Sequence, residues 1–120
     1  MCHSFVIEGK LPSLNEVIRE NRSNRYAGAK LKKEIEMLIG WAIKKAKLTP
    51  VTNPCVIEID WHEATKRRDV DNIHSSVKFI LDALVKNGIL KNDSRRYVKQ
   101  IYHKVIDDDT NFVVVRMKEI

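Results

Sequence analysis

The sequence contains few of the residues that cross-link or interrupt small proteins. It has 2 cysteines, 3 prolines and 4 glycines in 120 residues. Cys2 and Cys55 stand alone, without the spacing of metal ligands, which argues against a disulfide framework or a zinc site and favours reduced thiols. Cys55 is expected to pack in a strand, because a free cysteine behaves as a small apolar side chain.

Long apolar runs are also missing. The longest uncharged apolar stretch covers residues 37–43, which is far too short to cross a bilayer. The opening MCHS lacks the basic region and apolar run of a secretory signal, so we expect a cytoplasmic location. Because there is no internal repeat, low-complexity tract or linker, residues 1–120 are predicted to form a single domain.

The composition that remains is that of an ordinary globular protein with an excess of cations. Hydrophobic residues make up 43% and charged residues 32%, and the net charge is +6, which excludes a disordered chain and indicates a polyanionic partner. Basic residues 66–68 directly precede an acidic cluster, and further cations at 95–99 follow the next candidate acid. Such a basic frame around acids suits a protein that holds phosphates and cleaves with a metal ion.

The pattern of apolar residues predicts an α+β fold with a small mixed sheet of about four strands and helices packed on it. The predicted order is β-α-α-β-α-β-β, and the last two strands are expected to pair as a hairpin around residues 107–111. Ser13 and Glu16 have the spacing of a capping box and predict a short helix. Residues 22–27 are expected to be mobile or substrate-facing. The predicted strands are 5–9, 55–61, 97–106 and 112–117, and the predicted long helices are 29–47 and 71–86.

The acidic cluster is Asp69-Val70-Asp71. Two carboxylates at positions i and i+2 share a face only where the backbone is extended, since in a helix they diverge by about 200°. We therefore expect an extended residue at Asp69 and the start of a helix at Asp71, which would direct both side chains to one point. Magnesium prefers oxygen ligands and usually takes one or two carboxylates together with water and substrate phosphate.

The following helix offers a second polar feature. At about 100° per residue, Asp71, Ser75, Lys78 and Asp82 fall on one face, and apolar residues occupy the opposite face. Asp93 follows the Asn87-Gly88 helix end and is expected to fold back toward the beginning of this polar face. Three carboxylates from two segments would hold one or two metal ions.

Structural explanations exist for each of these residues. Aspartate is a favoured N-cap, so Asp69 or Asp71 is also explained as a helix cap. Lys78 and Asp82 have the spacing of a surface salt bridge, and Asp93 after Asn92 is explained as a turn residue. The acids at 107–109 are interpreted as a turn. The histidines at 62, 74 and 103 lack ligand spacing and are assigned to packing or surface roles.

The same region resembles a known family. Residues 67–73, RRDVDNI, are followed by Lys78, Asp82-Ala83-Leu84, Gly88-Ile89-Leu90 and Asn92-Asp93, and this ordered arrangement resembles the RusA family of Holliday junction resolvases. In the best-known bacterial member of the family the lysine lies one helical turn after the second aspartate, where this chain has Ser75. Here Lys78 lies about two turns after Asp71.

The resemblance implies roles for individual residues. Asp69, Asp71 and Asp93 correspond to the metal-binding catalytic acids, and Lys78 corresponds to the catalytic lysine. The implied cofactor is Mg²⁺, with Mn²⁺ as a substitute. Cations on both sides of the acids are candidates for contacts with DNA phosphates. These cations are Lys66, Arg67, Arg68, Arg95, Arg96 and Lys99.

The resemblance also implies a function. It indicates a homodimeric endonuclease of bacterial or prophage origin that acts in DNA recombination and repair, cutting four-way junctions by paired symmetric nicks that leave 5′-phosphate and 3′-hydroxyl ends. Two alternatives stay open on the sequence. One is a metal-dependent nuclease that prefers flaps or forks, and the other is a protein that binds branched DNA without cleaving it. A panel of junction, flap and fork substrates distinguishes a junction resolvase from the first alternative. An Asp71→Asn variant tests the second, because only a nuclease would lose Mg²⁺-dependent cleavage while it still binds junctions.

Overall fold

The computed structural model describes residues 3–120, so Cys2 lies outside the described residues. Along the chain, strands and helices follow in the order β1, α1, α2, β2, α3, α4, β3 and β4. The strands are β1 (Ser4–Glu8), β2 (Cys55–Glu63), β3 (Val98–Asp107) and β4 (Phe112–Glu119). The helices are α1 (Leu14–Ser23), α2 (Arg25–Ala46), α3 (Val70–His74) and α4 (Val77–Lys86).

The four strands form one mixed sheet in the order β1-β4-β2-β3. Strand β2 is central, parallel to β3 and antiparallel to β4, and β1 is antiparallel to β4. The predicted hairpin between the last two strands is therefore wrong, because β2 lies between them. Residues 108–111 cross the end of β2 instead, and the Asp108 amide donates to the Glu63 carbonyl at 3.0 Å.

Period-two alternation along β2 places one row of side chains in the core. Cys55, Ile57, Ile59 and Trp61 are at most 1% exposed, and the intervening residues are only half-buried. Helix α2 contributes Ile35, Ile39 and Ile43 to the same core, at the spacing of one helical face. The predicted burial of Cys55 is confirmed, and burial raises the pKa of its thiol, as expected for an unreactive core cysteine.

The helices begin and end at residues that the sequence explains. Ser13 accepts a hydrogen bond from the Glu16 amide, which confirms the capping box at the start of α1. Asn24 accepts from the amides of Tyr26 and Ala27 and so starts α2 earlier than predicted. Residues 22–27, expected to be mobile or substrate-facing, form the junction of the two helices. Gly88, with φ of 74°, ends α4 as expected.

The predicted helix over residues 71–86 is two helices in the structure. Ser75 and Ser76 separate α3 from α4, because both hydroxyls bond to backbone carbonyls, those of Asn72 and Pro12 respectively. The expectation that Asp71 and Lys78 share one continuous helical face is therefore wrong. Among the helices formed by residues 3–120, none combines the length and the apolar character that a membrane span requires.

Candidate active site

The pair of acids lies where an extended segment becomes a helix. Asp69 has φ of −73° and ψ of 156°, and α3 begins at the next residue. Its side chain makes no capping hydrogen bond, so the carboxylate is not used as a helix cap. Asp71 lies in the first turn of α3, and both acids are exposed. The backbone thus has the form predicted for two neighbouring carboxylates that are both available to a ligand.

Immediately before this pair, Arg68 is fixed inside the protein. Its Nε and Nη2 donate to the two carboxylate oxygens of Glu63 at 3.0 and 2.9 Å, and Nη1 donates to the Leu11 carbonyl at 2.8 Å. The Arg68 and Glu63 side chains are only 9% and 5% exposed. The prediction that Arg68 contacts DNA phosphates is corrected: its guanidinium instead joins the end of β2 to the segment before α1.

The segment 11–15 holds the acidic turn from the other side. The Leu14 amide donates to the Ser75 hydroxyl at 3.1 Å, and the buried Ser76 hydroxyl donates to the Pro12 carbonyl at 2.8 Å. The Asn15 amide group donates to the Asn72 side-chain oxygen at 3.2 Å. These contacts restrain α3 at both ends and so fix the backbone that carries Asp69 and Asp71.

Beneath α3, aromatic rings connect the helix to the sheet. His74 stacks on His103 of β3 with ring centroids 3.9 Å apart, and the Trp61 indole donates to His103 Nδ1 at 2.9 Å. Because an indole N–H is only a donor, His103 accepts at Nδ1 and is neutral in this arrangement. Burial, with a smaller contribution from His74, lowers the pKa of His103 to about 4. The packing role assigned to both histidines is confirmed.

The third acid lies on a differently built segment. Asp93 is exposed within residues 87–97, which connect α4 to β3. Its neighbours form a local turn in which the Ser94 amide donates to the Asn92 side chain at 2.9 Å. The Tyr97 and Val98 amides both donate to the Ser94 carbonyl. No hydrogen bond or ion pair of the Asp93 side chain occurs within residues 3–120, so this carboxylate is also available to a ligand.

Lys78 lies on α4, beyond the break at Ser75 and Ser76. Its ammonium is 3.7 Å from Asp82 Oδ2, and the two side chains are 61% and 44% exposed. This confirms the surface salt bridge that the spacing indicates. Such an exposed pair is weak, so Lys78 remains accessible to a second anionic partner.

Most of the other predicted DNA-binding cations are exposed. Lys66 makes a long ion pair with Asp107 at 3.8 Å, and Arg96 lies over the Tyr97 ring at 5.8 Å. Arg67, Arg95 and Lys99 are exposed as well. Five of the six predicted cations are thus on the surface, in the two segments that also carry the acids.

The adjacent acids Asp69 and Asp71 are suited to bind a metal ion together, whereas Asp93 does not lie close enough to join them. Within residues 3–120, no three His, Cys, Asp or Glu side chains lie close enough together to hold a metal ion. The structure therefore does not gather Asp69, Asp71 and Asp93 into one cluster. The adjacent pair alone has the donor chemistry of Mg²⁺, which commonly binds one or two carboxylates and completes its coordination with water and phosphate.

Sequence patterns do not reveal the residues that support this region. Ser76 and His103 depend on contacts with residues far away along the chain, at Pro12 and Trp61 respectively. Glu63 pairs with Arg68, which is five residues further along the chain. Ser13 and Ser76 are polar yet buried, but burial is not visible in a single sequence.

The geometry is that of a small mixed α+β domain with exposed acids between two basic segments, which is the class of arrangement expected of a DNA endonuclease. The sequence profile described as Endodeoxyribonuclease RusA matches residues 8–118. The chain therefore belongs to the RusA endodeoxyribonuclease family, and the resemblance seen in its motif is confirmed. A search of curated proteins found no match.

Proposed function

We propose that this protein is a Mg²⁺-dependent endonuclease that resolves Holliday junctions by paired symmetric nicks. The observation that carries the proposal is the family match, because residues 8–118 include every proposed site residue. The restrained pair Asp69 and Asp71 supports it further, since within residues 3–120 neither exposed carboxylate takes part in a hydrogen bond or ion pair.

The proposed mechanism divides the work between the acids and the cations. Asp69 and Asp71 would hold Mg²⁺, and Asp93 would join them through a movement of residues 87–97 that brings its carboxylate to the pair. When bound, Mg²⁺ supplies Lewis-acid stabilisation of the charge that develops at the phosphate during in-line attack by water. Lys78 adds an ammonium that neutralises this charge or orients the water. Mn²⁺ is expected to replace Mg²⁺.

The exposed cations position the DNA. Lys66 and Arg67 lie before the acidic pair, and Arg95, Arg96 and Lys99 follow Asp93. Contacts with backbone phosphates place the strand without reading its sequence. Because two strands of like polarity must be cut at symmetric points, we propose that the active form is a homodimer with two sites related by a twofold axis.

The decisive experiment maps cleavage on synthetic four-way junctions. Each strand is end-labelled in turn, and the protein is incubated with and without Mg²⁺. Paired nicks at symmetric positions, sealed afterwards by DNA ligase, are expected only with the metal, since ligation requires 5′-phosphate and 3′-hydroxyl ends. Flaps and forks of the same sequence are cut in parallel, and a preference for them would replace junction resolution by the flap or fork alternative.

The Asp71→Asn variant separates cleavage from binding. We expect it to lose Mg²⁺-dependent cleavage while it binds junctions at least as tightly, because one ligand is lost and one negative charge near phosphate is removed. Asp109→Asn is the matched control, since Asp109 is an exposed acid of the turn at 107–111. A parent protein that binds junctions but cuts none with Mg²⁺ or Mn²⁺ would establish the non-catalytic alternative.

A further inference from the structure

A groove outside the candidate active site is lined by residues of α2 and α4. It encloses about 430 Å³, and it contains a large apolar side chain on the α2 wall. Trp41 is 70% exposed and Met37 beside it is 66% exposed. The other tryptophan, Trp61, is 1% exposed and packs in the hydrophobic core. Trp41 therefore lies on the surface without a packing role that would explain it.

Cations flank this tryptophan along the helix. Lys33, Met37, Trp41 and Lys44 follow one another at helical spacing, so all four lie on one face of α2. Lys33 and Lys44 line the groove, and within residues 3–120 neither ammonium takes part in an ion pair. Helix α2 carries six cationic and two anionic side chains. The α2 wall thus presents an exposed indole between two unpaired ammonium groups.

The acids of the groove are already neutralised. Glu36 is paired with Lys86 at 3.3 Å, and Asp82 is paired with Lys78 at 3.7 Å. Each of these ion pairs has equal and opposite charges, so the two unpaired lysines leave the groove with net positive charge. A polyanion is the complementary partner. A second copy of this chain fits less well, since a twofold contact would bring two sets of the same lysines into one interface.

The groove reaches the face of α4 that carries Lys78. Lys78, Asp82 and Lys86 lie at successive four-residue steps on one face of α4, and Asp82 and Lys86 line the groove. Lys78, the proposed catalytic lysine, is one turn further toward α3. A strand that lies along this face of α4 would therefore pass from Lys78 into the groove.

We infer that the groove between α2 and α4 binds a single-stranded segment of DNA, with an unpaired base stacked on Trp41 and phosphates held by Lys33 and Lys44. Aromatic rings between cations are the usual means of binding unpaired bases, because every base has a face that stacks. Duplex DNA keeps its bases stacked inside the helix, so the groove favours strands opened at a branch point. This inference rests on the proposed function for the identity of the polymer.

Tryptophan fluorescence tests the inference directly. The full-length protein is titrated in EDTA, so that no cleavage occurs, with an oligo-dT of about 12 nucleotides and separately with a blunt duplex. We expect the oligo-dT to quench the emission of exposed Trp41, and the duplex to quench it much less. In the Trp41→Phe variant only Trp61 emits, so the quenching disappears although stacking on the phenyl ring preserves most of the affinity.

Trp41→Ala supplies the quantitative test. Anisotropy of labelled oligo-dT is expected to show affinity reduced by about 5-fold to 150-fold, the range for loss of one base-stacking aromatic side chain. Tyr102→Ala is the matched control, because Tyr102 is an aromatic residue of β3 that is 54% exposed and lies outside the groove. Thermal unfolding of each variant verifies that it is folded. If Trp41→Ala does not fold, the loss of fluorescence quenching in Trp41→Phe tests the inference instead.

Two results would overturn the inference. One is unchanged oligo-dT affinity in Trp41→Ala, or a loss no larger than that of Tyr102→Ala. The other is a change of oligomeric state in sedimentation with unchanged affinity, which would assign the groove to contact between copies. Because binding is measured without metal, the outcome is independent of cleavage. If the protein cuts junctions but does not bind oligo-dT, the proposed function stands and this inference fails. If it binds oligo-dT through Trp41 but cuts no junctions, the inference stands and the proposed function fails.

Discussion

The two segments that carry the proposed catalytic acids are held in different ways. Residues 68–76 are joined to β2 and to segment 11–15 by a buried ion pair and side-chain hydrogen bonds. The Asp93 turn is held mainly by hydrogen bonds among its own neighbours. The contacts of residues 68–76 position Asp69 and Asp71 before any ligand arrives. Within residues 3–120, residues 87–97 are hydrogen-bonded to distant residues only near their two ends, where Ile89 and Tyr97 accept from the Val51 and Cys55 amides.

This difference suggests a division of roles within the proposed site. A preorganised pair of ligands lowers the entropic cost of placing a metal ion. A third ligand on a loop that moves joins only when metal and substrate are both present, which links closure to the correct substrate. Variants of residues 68–76 and variants of the Asp93 turn distinguish these two roles.

The largest loss of stability is expected from Arg68→Ala. Removal of the guanidinium leaves the Glu63 carboxylate buried without its counter-ion, which costs about 3–5 kcal/mol for such pairs. Urea unfolding measures the change. Arg67→Ala is the control, because Arg67 is the exposed neighbour and should change stability by less than about 0.5 kcal/mol. Equal effects of the two variants would show that the Arg68 contacts do not hold this segment.

Ser76→Ala is expected to have the next largest effect. Ser76 is 0% exposed and its hydroxyl donates to the Pro12 carbonyl, so the alanine leaves a buried carbonyl without its partner at a cost of about 1–3 kcal/mol. Ser94→Ala changes a serine hydroxyl in the Asp93 turn, which is exposed, and should cost less than about 0.5 kcal/mol. If thermal unfolding ranked Ser94→Ala as the more damaging change, the proposed contrast between the segments would be reversed.

The histidine stack beneath α3 predicts a pH dependence of stability. Burial lowers the pKa of His103 in the folded protein from 6.5 to about 4, so the unfolded chain binds the proton more tightly. Stability contributed by the neutral ring is complete above pH 6.5 and is lost as the pH falls toward 4. After allowance for partial solvent exposure, we expect a loss of about 1–2 kcal/mol.

Comparison of variants isolates this contribution from the carboxylates that also titrate in acid. His103→Gln cannot be protonated in this range, so its urea midpoint should fall less between pH 7 and pH 4.5 than that of the parent protein. His74 stacks on the same ring, and burial also lowers its pKa, although Asp71 opposes the shift. Identical pH profiles for parent and variant would exclude His103 as the group responsible.

Local patterns in the sequence were enough to predict most elements but not how the strands pair. The alternation over residues 55–61, the Ser13 cap and the Gly88 helix end all depend on neighbouring residues, and all three were confirmed. The hairpin prediction failed because strands close in sequence are normally paired, whereas here β2 inserts between β3 and β4. Strand order depends on contacts between residues far apart in sequence, which local sequence patterns do not predict.

The same distinction applies to the candidate site. The extended backbone at Asp69 followed from the spacing of two acids, and it was confirmed. The role of Arg68 was mistaken because every cation of a basic run was assigned to DNA phosphates, although Arg68 pairs with Glu63 at the end of β2. A buried arginine and an exposed arginine are the same residue type in the sequence, so only the contacts in the folded structure distinguish their roles.

Asp93→Asn is expected to change stability least and to separate structure from catalysis. Asp93 is exposed and lies in a locally bonded turn, so its free energy of unfolding should change by less than about 0.5 kcal/mol. If the loop closes to bring this carboxylate to the metal, junction cleavage should nevertheless fall by about 100-fold or more. Raising the Mg²⁺ concentration should recover part of the activity, because a missing ligand weakens metal binding, whereas Asp109→Asn should behave as the parent. Full activity in Asp93→Asn would restrict the metal ligands to the rigid segment and remove any need for the loop to close.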